Sequence, residues 1–404
     1  MKKILFVINT MGGAGAEKAL LELLKRWDTT EYQVYLYVLM GQGEMIGQLP
    51  SHVHLLNAEF SSESVLSSKG RKQMRRRVAK AFFQNGNWFG KLRYILLTFA
   101  SMVKRKRIQI DKLMWRMMAE GSRRFDTTFD LAIAWLEGGS AYYVADYVKA
   151  RRKAAFIHIN YEESGYTRGM DQDCWSRFDR IFGVSKDTVE RFQAVYPQYR
   201  DRMDVFPNII DQESIRRQAK QSGGFSDEYG GMRLLTVGRL TWQKGYDIAM
   251  EAMRLLKEAG YKVRWYVLGE GDQRAALEKK IAALGLQKDF LLLGAVANPY
   301  PYYAQTDIYV HAVRYEGQSI AVQEAQTLGC PIIVSNYSGS KEAIGEDMGG
   351  GIICELTPRS IADSIIVLLN DEKKREELGQ RAQKKKISQD QGLGKLLLLL
   401  GTGG

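Results

Sequence analysis

The 404-residue sequence predicts an α/β protein of two doubly wound domains with mainly parallel sheets. In both halves of the chain, apolar strand-like runs alternate with helical patterns, which is typical of parallel sheets covered by helices on both faces. A polar stretch that becomes glycine-rich, residues 206–231, separates the halves. We therefore expect one domain at 1–205 and a second at 206–388, both of ordinary domain size.

The first half contains five clear strand candidates and two clear helices. The strand-like runs are KILFVIN, YQVYLYVL, FDLAIAWL, KAAFIHI and DRIFGVS. The helical patterns GAEKALLELLKRW and SKDTVERFQAVY follow the first and the last of these strands. The second half repeats the arrangement with MRLLTVG, YKVRWYVLG, DFLLLG, DIYVHA and CPIIVSN, and with helices such as QRAALEKKIAALG.

Composition excludes several classes of protein. The chain is 45% apolar and 26% charged, as expected of a globular protein, and it has no apolar run long enough to span a membrane. The run ILFVIN near the start fits a buried first strand better than a secretion signal. Three scattered cysteines and four histidines without ligand spacing predict neither disulfides nor a metal site. We expect a cytoplasmic protein.

The positive charge is concentrated in one segment, residues 68–124. The whole chain carries +12, whereas residues 69–124 hold 17 Lys or Arg and 2 acidic residues, a local charge of +15. Apolar residues recur there at helical spacing: Leu92, Ile95, Leu96, Phe99, Met102 and Val103, continued by Leu113, Met114, Met117 and Met118. Such a stripe flanked by cations is typical of an amphipathic helix on an anionic membrane surface. The alternatives are a stripe packed on the domain core and a nucleic-acid surface, for which the segment has no recognisable fold.

Candidate binding residues follow the strands of the second half, where ligands bind in doubly wound sheets. Arg239 and Lys244 follow MRLLTV, and Glu316 follows YVHA just before a helical pattern that contains Glu324. A guanidinium fork and an ammonium suit a diphosphate, and a helix N-terminus at residues 318–320 would add amide donors. Ionised carboxylates accept hydrogen bonds only, so they suit the hydroxyl groups of a sugar and a ribose. The pattern therefore indicates a nucleotide-sugar site.

The same residues carry a family resemblance. VGRLTWQKGYDIAMEA, YVLGEGDQRAALE and FLLLGAVANPYPYYAQTDIYVHAVRYEGQSIAVQEAQTLGCPIIVSN resemble the donor domain of family-four retaining glycosyltransferases of the GT-B fold, over roughly residues 203–385. GGAGAEKAL and AFIHIN extend the likeness into the first half. The segment RYEGQSIAVQEA is similar to the corresponding segment of enzymes that build bacterial capsular and other surface polysaccharides.

The resemblance implies two facing Rossmann-like domains, an acceptor-binding one first and a donor-binding one second. It implies catalytic or charge-stabilising roles for His158, Glu316, Arg239 and Lys244. The donor-binding set would comprise Gly13, Gly238, Arg239, Lys244, Gly294, Val296, Asn298, Glu316, Gly317, Gln318, Ser319, Ile320 and Glu324. Of these, Glu316 would hold the donor sugar and Glu324 the ribose.

The implied reaction is sugar transfer, with retained configuration, from a nucleoside diphosphate sugar to a lipid-linked or oligosaccharide acceptor. No cofactor and no metal are expected, and the protein would lie on the inner face of the cell membrane through residues 68–124. The pair Asp171 and Asp173, which mimics a metal-binding motif of other glycosyltransferases, is interpreted as chance.

Rival interpretations use the same residues. A dinucleotide oxidoreductase is disfavoured because GGAGAEK and GEGDQR both lack the third glycine of the phosphate-binding turn. A non-catalytic binding or scaffold protein of the same fold stays open. Its main support is the end of the chain, residues 389–404, where GLGKLLLLLGTGG reads as an atypical low-complexity tail without the pattern of the helix that usually closes the family.

Overall fold

The computed structural model describes residues 1–65, 67–84, 86, 88–104, 110–345, 349–385 and 391–401. The chain divides into two compact units, one of Met1–Ile209 with Gln389–Gly404 and one of Ile210–Ser388. The boundary predicted from the sequence lay between residues 205 and 206. In the basic segment 68–124 and the predicted tail 389–404, residues 85, 87, 105–109, 389–390 and 402–404 lie outside the described residues.

Unit 1 (Met1–Ile209 with Gln389–Gly404) is built on a parallel sheet of seven strands. Their order is β3-β2-β1-β4-β5-β6-β7. The strands are β1 (Lys2–Ile8), β2 (Tyr32–Val38), β3 (Val53–Leu55), β4 (Phe129–Ala134), β5 (Ala150–Ile157), β6 (Arg180–Gly183) and β7 (Met203–Val205). β1 is buried from Ile4 onward because both faces of a central parallel strand are covered.

Among its described residues, unit 1 has seven α-helices that precede the second unit. They are α1 (Gly15–Leu24), α2 (Ser68–Phe83), α3 (Trp88–Lys104), α4 (Ile110–Glu120), α5 (Gly139–Tyr147), α6 (Arg168–Asp171) and α7 (Lys186–Val195). α2, α3 and α4 come from the basic segment, between β3 and β4. None of the helices in the described ranges combines the length and the apolar character that crossing a membrane requires.

Unit 2 (Ile210–Ser388) is built on a parallel sheet of six strands in the order β10-β9-β8-β11-β12-β13. The strands are β8 (Met232–Val237), β9 (Val263–Leu268), β10 (Phe290–Gly294), β11 (Ile308–His311), β12 (Ile332–Ser335) and β13 (Gly351–Cys354). Successive strands add in one direction from β8 to β10 and in the other from β11 to β13. The order therefore reverses between β8 and β11, the position at which doubly wound sheets bind ligands.

The helices of unit 2 cover both faces of its sheet. They are α8 (Gln212–Ala219), α9 (Tyr246–Glu258), α10 (Arg274–Ala283), α11 (Tyr300–Gln305), α12 (Ile320–Thr327), α13 (Ser340–Ile344), α14 (Pro358–Asn370) and α15 (Glu372–Lys384). Two separate apolar clusters, one with Leu234 and Val267 and one with Leu235 and Tyr266, pack against opposite sheet faces. The predicted fold class is confirmed: two doubly wound units with parallel sheets.

The end of the chain differs from the prediction. We expected a low-complexity tail, and the structure instead contains a helix, α16 (Gln391–Gly401), that belongs to unit 1. Leu396 is fully buried, and Lys395 donates to the carbonyl of Val205 at 2.7 Å and pairs with Asp204 at 2.8 Å. The continuous leucine run at residues 396–400 hid the buried face of this helix, because five apolar residues in a row show no helical periodicity.

The basic segment also differs in part from the prediction. In the predicted stripe Met102, Leu113, Met117 and Met118 are buried, and they pack into the core of unit 1. A second, exposed row on α3 is formed by Leu92, Leu96, Phe99 and Val103, which lie one helical turn apart. The segment therefore has one apolar face packed on the core and another that is exposed to solvent.

Candidate functional site

The candidate site of unit 2 lies where the sheet order reverses. β8 and β11 are neighbours, and they pair through Ile308 with Leu234 and Tyr309 with Leu235. Because both strands are parallel, their carboxyl ends lie at the same edge of the sheet, followed there by Arg239 and Glu316. The structure thus brings together cations and carboxylates that are far apart in the sequence.

The loops after β8 and β11 are joined by main-chain contacts. The amide of Arg314 donates to the carbonyl of Gln243 at 2.9 Å, and the Gln243 side chain donates to the carbonyl of Tyr315 at 2.8 Å. Gly245 has φ +60°, and a Cβ at this position would lie 2.2 Å from the carbonyl oxygen of Ala312. Only glycine allows so close an approach, which fixes the position of Lys244 beside the loop that carries Glu316.

Lys244 and Glu316 form an ion pair, with side chains 13% and 16% exposed. Burial alone raises the pKa of the Glu316 carboxyl, but Lys244 and the neighbouring His311 outweigh burial and hold this pKa far below its usual value of 4.5. Glu316 is therefore ionised at neutral pH. Lys244 uses one of its three N–H donors on this carboxylate.

Arg239 is the second cation of the site. It follows Gly238, whose carbonyl accepts a hydrogen bond from the Tyr246 hydroxyl at 2.8 Å. The Arg239 side chain is exposed and forms no ion pair with any residue in the described ranges. Its guanidinium is consequently available to an anion, whereas nearby Arg314 is held by both carboxylate oxygens of Asp247 at 2.9 and 2.7 Å.

The helix α12 begins at the predicted place. Ser319 is the N-cap, and its hydroxyl accepts from the amide of Val322 at 3.4 Å. Gly317 and Gln318 precede the cap, and Ile320 opens the helix. The remaining amides of the first turn lack helical partners, so they form a patch of donors at this end of the helix.

Glu324 lies inside α12 and is 2% exposed. Its two carboxylate oxygens accept from the hydroxyls of Tyr300 at 3.2 Å and Tyr303 at 3.1 Å. The two tyrosine hydroxyls therefore hold the Glu324 carboxylate in place.

The predicted base-lining residues follow β10. Gly294 has φ +86°, and its carbonyl accepts from the amide of Gly269 at 2.8 Å. Val296 packs against the apolar cluster that contains Tyr303. The Asn298 amide group donates to the carbonyl of Gln218 at 3.0 Å and thereby holds α8, so its side-chain donors have a structural use.

Two predicted residues belong to unit 1 rather than unit 2. The amide of Gly13 donates to the Glu44 carboxylate at 3.1 Å, which places an anion on the loop after β1. His158 follows β5, and its main-chain amide donates to the buried Glu137 carboxylate at 3.0 Å. Burial lowers the pKa of the His158 imidazole to about 3, against a weaker opposing hydrogen bond to the backbone of Trp135. The ring is therefore neutral at physiological pH.

Asp171 of the pair Asp171 and Asp173 is a buried hydrogen-bond acceptor. It is fully buried and accepts from the hydroxyls of Tyr142 at 2.7 Å, Tyr161 at 2.7 Å and Tyr196 at 2.5 Å. In the part of the chain that the structure describes, no group of three or more His, Cys, Asp or Glu residues could hold a metal ion.

Comparison with known families assigns the second unit. Residues 226–385 match the family model described as glycosyl transferases group 1. The second unit therefore resembles the group 1 glycosyltransferases over these residues, and it is called the glycosyltransferase domain below. The matched range contains every candidate residue of unit 2, from Gly238 to Glu324.

Relatives of this glycosyltransferase domain include bacterial enzymes of surface saccharide synthesis. The chain is 27% identical over 210 residues to N-acetylgalactosamine-N,N'-diacetylbacillosaminyl-diphospho-undecaprenol 4-alpha-N-acetylgalactosaminyltransferase of Campylobacter jejuni, covering 52% of this chain and 56% of that enzyme. It is 27% identical over 150 residues to the capsular polysaccharide biosynthesis glycosyltransferase CapM of Staphylococcus aureus, covering 37% of this chain and 40% of CapM. The chain thus matches little more than half of the first relative and less of the second.

Solved structures share the architecture over nearly the whole chain. HepE of Anabaena in complex with UDP and glucose has a TM-score of 0.68 at 16% identity, covering 100% of both chains. TarM of Staphylococcus aureus, as a mutant in complex with fondaparinux, alpha-GlcNAc-glycerol and UDP, has a TM-score of 0.67 at 13% identity, covering 99% of this chain and 100% of TarM. The predicted GT-B fold and the resemblance to bacterial surface glycosyltransferases are confirmed.

Sequence reasoning missed one residue of the glycosyltransferase domain. His311, the last residue of β11, is 1% exposed, and its Nε2 atom lies 3.6 Å from the Glu316 carboxylate. The available signal was its position two residues after Tyr309 on a strand that leads to Glu316. That signal is weak, because a lone histidine in an apolar strand is more often a buried structural residue.

Proposed function

We propose that this protein is a retaining glycosyltransferase that moves a sugar from a nucleoside diphosphate sugar to a lipid-linked saccharide in the synthesis of a bacterial surface polysaccharide. The observation that carries the proposal is the cluster of Arg239, Lys244, Glu316 and Glu324 where the sheet order of the glycosyltransferase domain reverses. Two cations, two carboxylates and a helix N-terminus match the groups of a nucleotide sugar.

The two cations stabilise the leaving diphosphate. Negative charge grows on the diphosphate as its bond to the sugar breaks, and cations held nearby lower the energy of that transition state. Arg239 is exposed and unpaired in the described structure, so it can contact phosphate oxygens with two N–H groups. Lys244 carries one partner, Glu316, and keeps two further donors for the diphosphate.

The two carboxylates hold the sugar and the ribose. Glu316, kept ionised by Lys244 and His311, accepts from hydroxyl groups of the donor sugar. Glu324, which the Tyr300 and Tyr303 hydroxyls hold in place, accepts from the ribose diol, because an ionised carboxylate only accepts hydrogen bonds. A uridine nucleotide is the first donor to test, because the similar structures of TarM and HepE contain UDP.

Retention of configuration accords with a same-face displacement, in which the leaving phosphate accepts the proton of the acceptor hydroxyl. The lowered pKa of His158 supports this assignment, since a neutral imidazole with a pKa of about 3 is a weak base at neutral pH. His158 then orients substrate through hydrogen bonds. No metal takes part, because Arg239 and Lys244 supply the positive charge at the diphosphate.

The membrane surface brings the lipid-linked acceptor to the protein. Support comes from exposed apolar side chains on α3: Phe89, Leu96 and Leu97 are 69%, 60% and 61% exposed. This helix belongs to the basic segment, whose local charge is +15. Apolar side chains that enter the interface and cations near anionic head groups both favour binding. The undecaprenol-linked substrate in the name of the Campylobacter relative accords with this acceptor class.

Vesicle sedimentation tests the membrane part of the proposal. We expect binding to vesicles that contain phosphatidylglycerol, weaker binding at high salt, and loss of binding in the double variant Phe89→Ser, Leu96→Ser. The matched control is Val367→Ser, an exposed apolar position of unit 2. Equal binding of the double variant and the wild type would contradict the assignment of this surface.

A thermal-shift panel with UDP, GDP, ADP, CDP and TDP and with UDP- and GDP-sugars tests the donor site. We expect one nucleotide class to stabilise the wild type, with and without a chelator, and to lose its effect in Arg239→Ala. Stabilisation that a chelator abolishes would overturn the metal-free assignment. A folded protein that no nucleotide stabilises would instead favour a non-catalytic binding protein of the same fold.

A further inference from the structure

Beneath the candidate sugar site, a row of buried rings extends along the end of β11. Tyr309 and His311 alternate on the strand, so their side chains lie on the same sheet face. Their rings are stacked with centroids 6.2 Å apart, and Tyr303 continues the row at 5.3 Å from Tyr309. All three side chains are at most 1% exposed.

Each ring nitrogen of His311 faces one neighbouring polar group. Nδ1 lies 3.4 Å from the Tyr309 hydroxyl. Nε2 lies 3.6 Å from Oε2 of Glu316, and this buried nitrogen makes no hydrogen bond within the described residues. A buried nitrogen without a hydrogen bond is costly, so a small movement that closes the 3.6 Å separation is favourable.

The chemistry of the neighbours decides which nitrogen carries the proton. An ionised carboxylate only accepts hydrogen bonds, so Nε2, which faces Glu316, must carry the proton. Burial lowers the pKa of the His311 imidazole, against the weaker effect of Glu316, and a neutral ring has one N–H. Nδ1 is therefore the acceptor nitrogen, and it faces the Tyr309 hydroxyl, whose other acceptor is the Val237 carbonyl at 3.5 Å.

We propose that His311 is a positioning residue whose Nε2–H closes onto Glu316 and holds that carboxylate in the orientation that contacts the donor sugar during transfer. This inference rests on the proposed glycosyltransferase function. Lys244 and His311 approach Glu316 from two different elements, the turn before α9 and the end of β11. With both partners in place, the carboxylate loses most of its freedom to rotate, which is what a transition-state contact needs.

At its Tyr303 end, the row of rings contacts the Glu324 carboxylate. The Tyr303 hydroxyl donates to Glu324 at 3.1 Å, and the Cys330 thiol packs against the Tyr303 carbonyl at 3.2 Å. The buried row therefore reaches from the carboxylate assigned to the ribose to the one assigned to the sugar. Rigid buried rings keep the spacing of the two carboxylates constant.

The test compares His311→Leu with His311→Gln. Leucine removes the donor, whereas the glutamine amide nitrogen can replace Nε2. We expect kcat with the nucleotide sugar to fall about tenfold in His311→Leu, the size of one lost hydrogen bond to a charged group, and to recover at least in part in His311→Gln. Affinity for UDP without a sugar, measured by calorimetry, should stay unchanged, because His311 faces the sugar carboxylate.

The pH dependence of kcat/KM distinguishes a positioning role of His311 from a purely structural one. Lys244 and His311 are the two groups that lower the pKa of Glu316, so removing the His311 donor raises that pKa. The acid limb of kcat/KM should consequently shift to higher pH in His311→Leu and return toward the wild-type position in His311→Gln. An unshifted limb together with unchanged kcat would overturn the inference.

Two further comparisons separate the possible failures. If the wild type transfers no sugar from any nucleotide sugar, the proposed function fails; if the wild type is active and His311→Leu equals it, only the role of His311 fails. Should His311→Leu not fold, Tyr309→Phe keeps the ring and removes the hydroxyl that orients Nδ1. A smaller loss of kcat with a shifted acid limb is then expected, and wild-type behaviour of that variant would contradict the proposal.

Discussion

At the scale of single residues, the two cations of the site differ in a way that has consequences for mutagenesis. Arg239 is exposed and without an ion-pair partner in the described ranges, whereas Lys244 is mostly buried against Glu316. Replacing Arg239 leaves no buried charge behind, so a loss of activity would report the proposed ligand contact. Replacing Lys244 would strand the Glu316 carboxylate, so its effect on activity would be mixed with an effect on stability.

Arg239→Ala should therefore lower kcat/KM for sugar transfer without lowering the unfolding temperature. Removing one charge-stabilising donor costs about 3 kcal/mol in transition-state energy, or roughly a hundredfold in rate. Steady-state kinetics and thermal unfolding measure the two effects. Arg359→Ala, at an exposed position of unit 2 that pairs with Asp363 on the same helix, is the matched control and should be silent. Near-normal turnover in Arg239→Ala would refute the assignment.

Glu316→Gln should change how stability depends on pH. Because the folded-state pKa of Glu316 is depressed below 4.5, its ionised form stabilises the fold above about pH 4.5, and this contribution is lost as the pH falls below that value. The wild type should lose stability steeply below about pH 4.5. The glutamine variant, which cannot be protonated, should start lower and lose less over the same interval. If the unfolding temperatures of the wild type and Glu316→Gln changed in parallel between pH 3 and 6, the depressed pKa of Glu316 would be contradicted.

At the scale of elements, the position of Lys244 depends on one glycine turn. Gly245→Ala should destabilise unit 2 by about 2 kcal/mol or more, because it adds an unfavourable left-handed conformation and a clash with the Ala312 carbonyl. Displacement of Lys244 should also reduce transfer. Gly260→Ala is the matched control: it has φ +80° but open space around the added methyl group. Urea unfolding of both variants separates the clash from the backbone strain, and equal losses would exclude the clash.

The pairing of α2 with α3 depends on a buried lysine. Lys91 is 2% exposed, and its ammonium donates to the carbonyls of Ala81 at 3.0 Å, Phe82 at 3.0 Å and Gln84 at 2.7 Å. These groups end α2, where helical carbonyls lack partners and attract a cation. The lysine therefore ties the start of α3 to the end of α2 and fixes the exposed row of α3 relative to the basic helix.

Lys91→Met should destabilise this pair by about 2 kcal/mol, since three carbonyls lose a charged donor. Hydrogen exchange should then speed up in α2 and α3, and binding to anionic vesicles should weaken. Arg93→Met removes the same charge from an exposed position of the same helix and serves as the control for the electrostatic part. Unchanged exchange in Lys91→Met would show that core packing alone holds the two helices.

At the scale of the whole molecule, the fold could be predicted more fully than the site. Strands such as β1 and β9 are continuous apolar runs because both faces of a parallel sheet are buried, and that signal is local in the sequence. The placement of Arg239, Lys244 and Glu316 at one edge of the sheet could be predicted, because the loops after neighbouring parallel strands meet there; their binding roles stay predictions. The contact of His311 with Glu316 could not be predicted, because it joins a strand end to a loop and no local pattern encodes it.

The basic segment shows why periodicity alone is insufficient. The buried row of α3 contains Lys91, Thr98 and Met102, and it lies beside the exposed apolar row. A sequence pattern counts those polar residues as exposed and assigns the apolar ones to a single stripe. The buried use of Lys91, as a cation that caps α2, becomes visible only when both helices are placed.

Leu396 and Leu398 offer a test of how α16 belongs to unit 1. Leu396 is fully buried and Leu398 is 68% exposed, although both lie in the same run of leucines. Leu396→Ala should cost about 2–4 kcal/mol of unfolding free energy, and Leu398→Ala less than about 0.5 kcal/mol. Denaturant unfolding with nucleotide present measures both. Equal effects would place the run outside the core of unit 1.

The return of α16 to unit 1 makes unit 2 an insertion within the order of synthesis. A ribosome releases all of Ile210–Ser388 before it releases the helix that covers β4 and contacts Val205. Unit 2 can therefore reach its native state on the nascent chain before α16 of unit 1 has been released. Translation thus releases the whole of unit 2 before a helix whose Leu396 side chain is buried in unit 1.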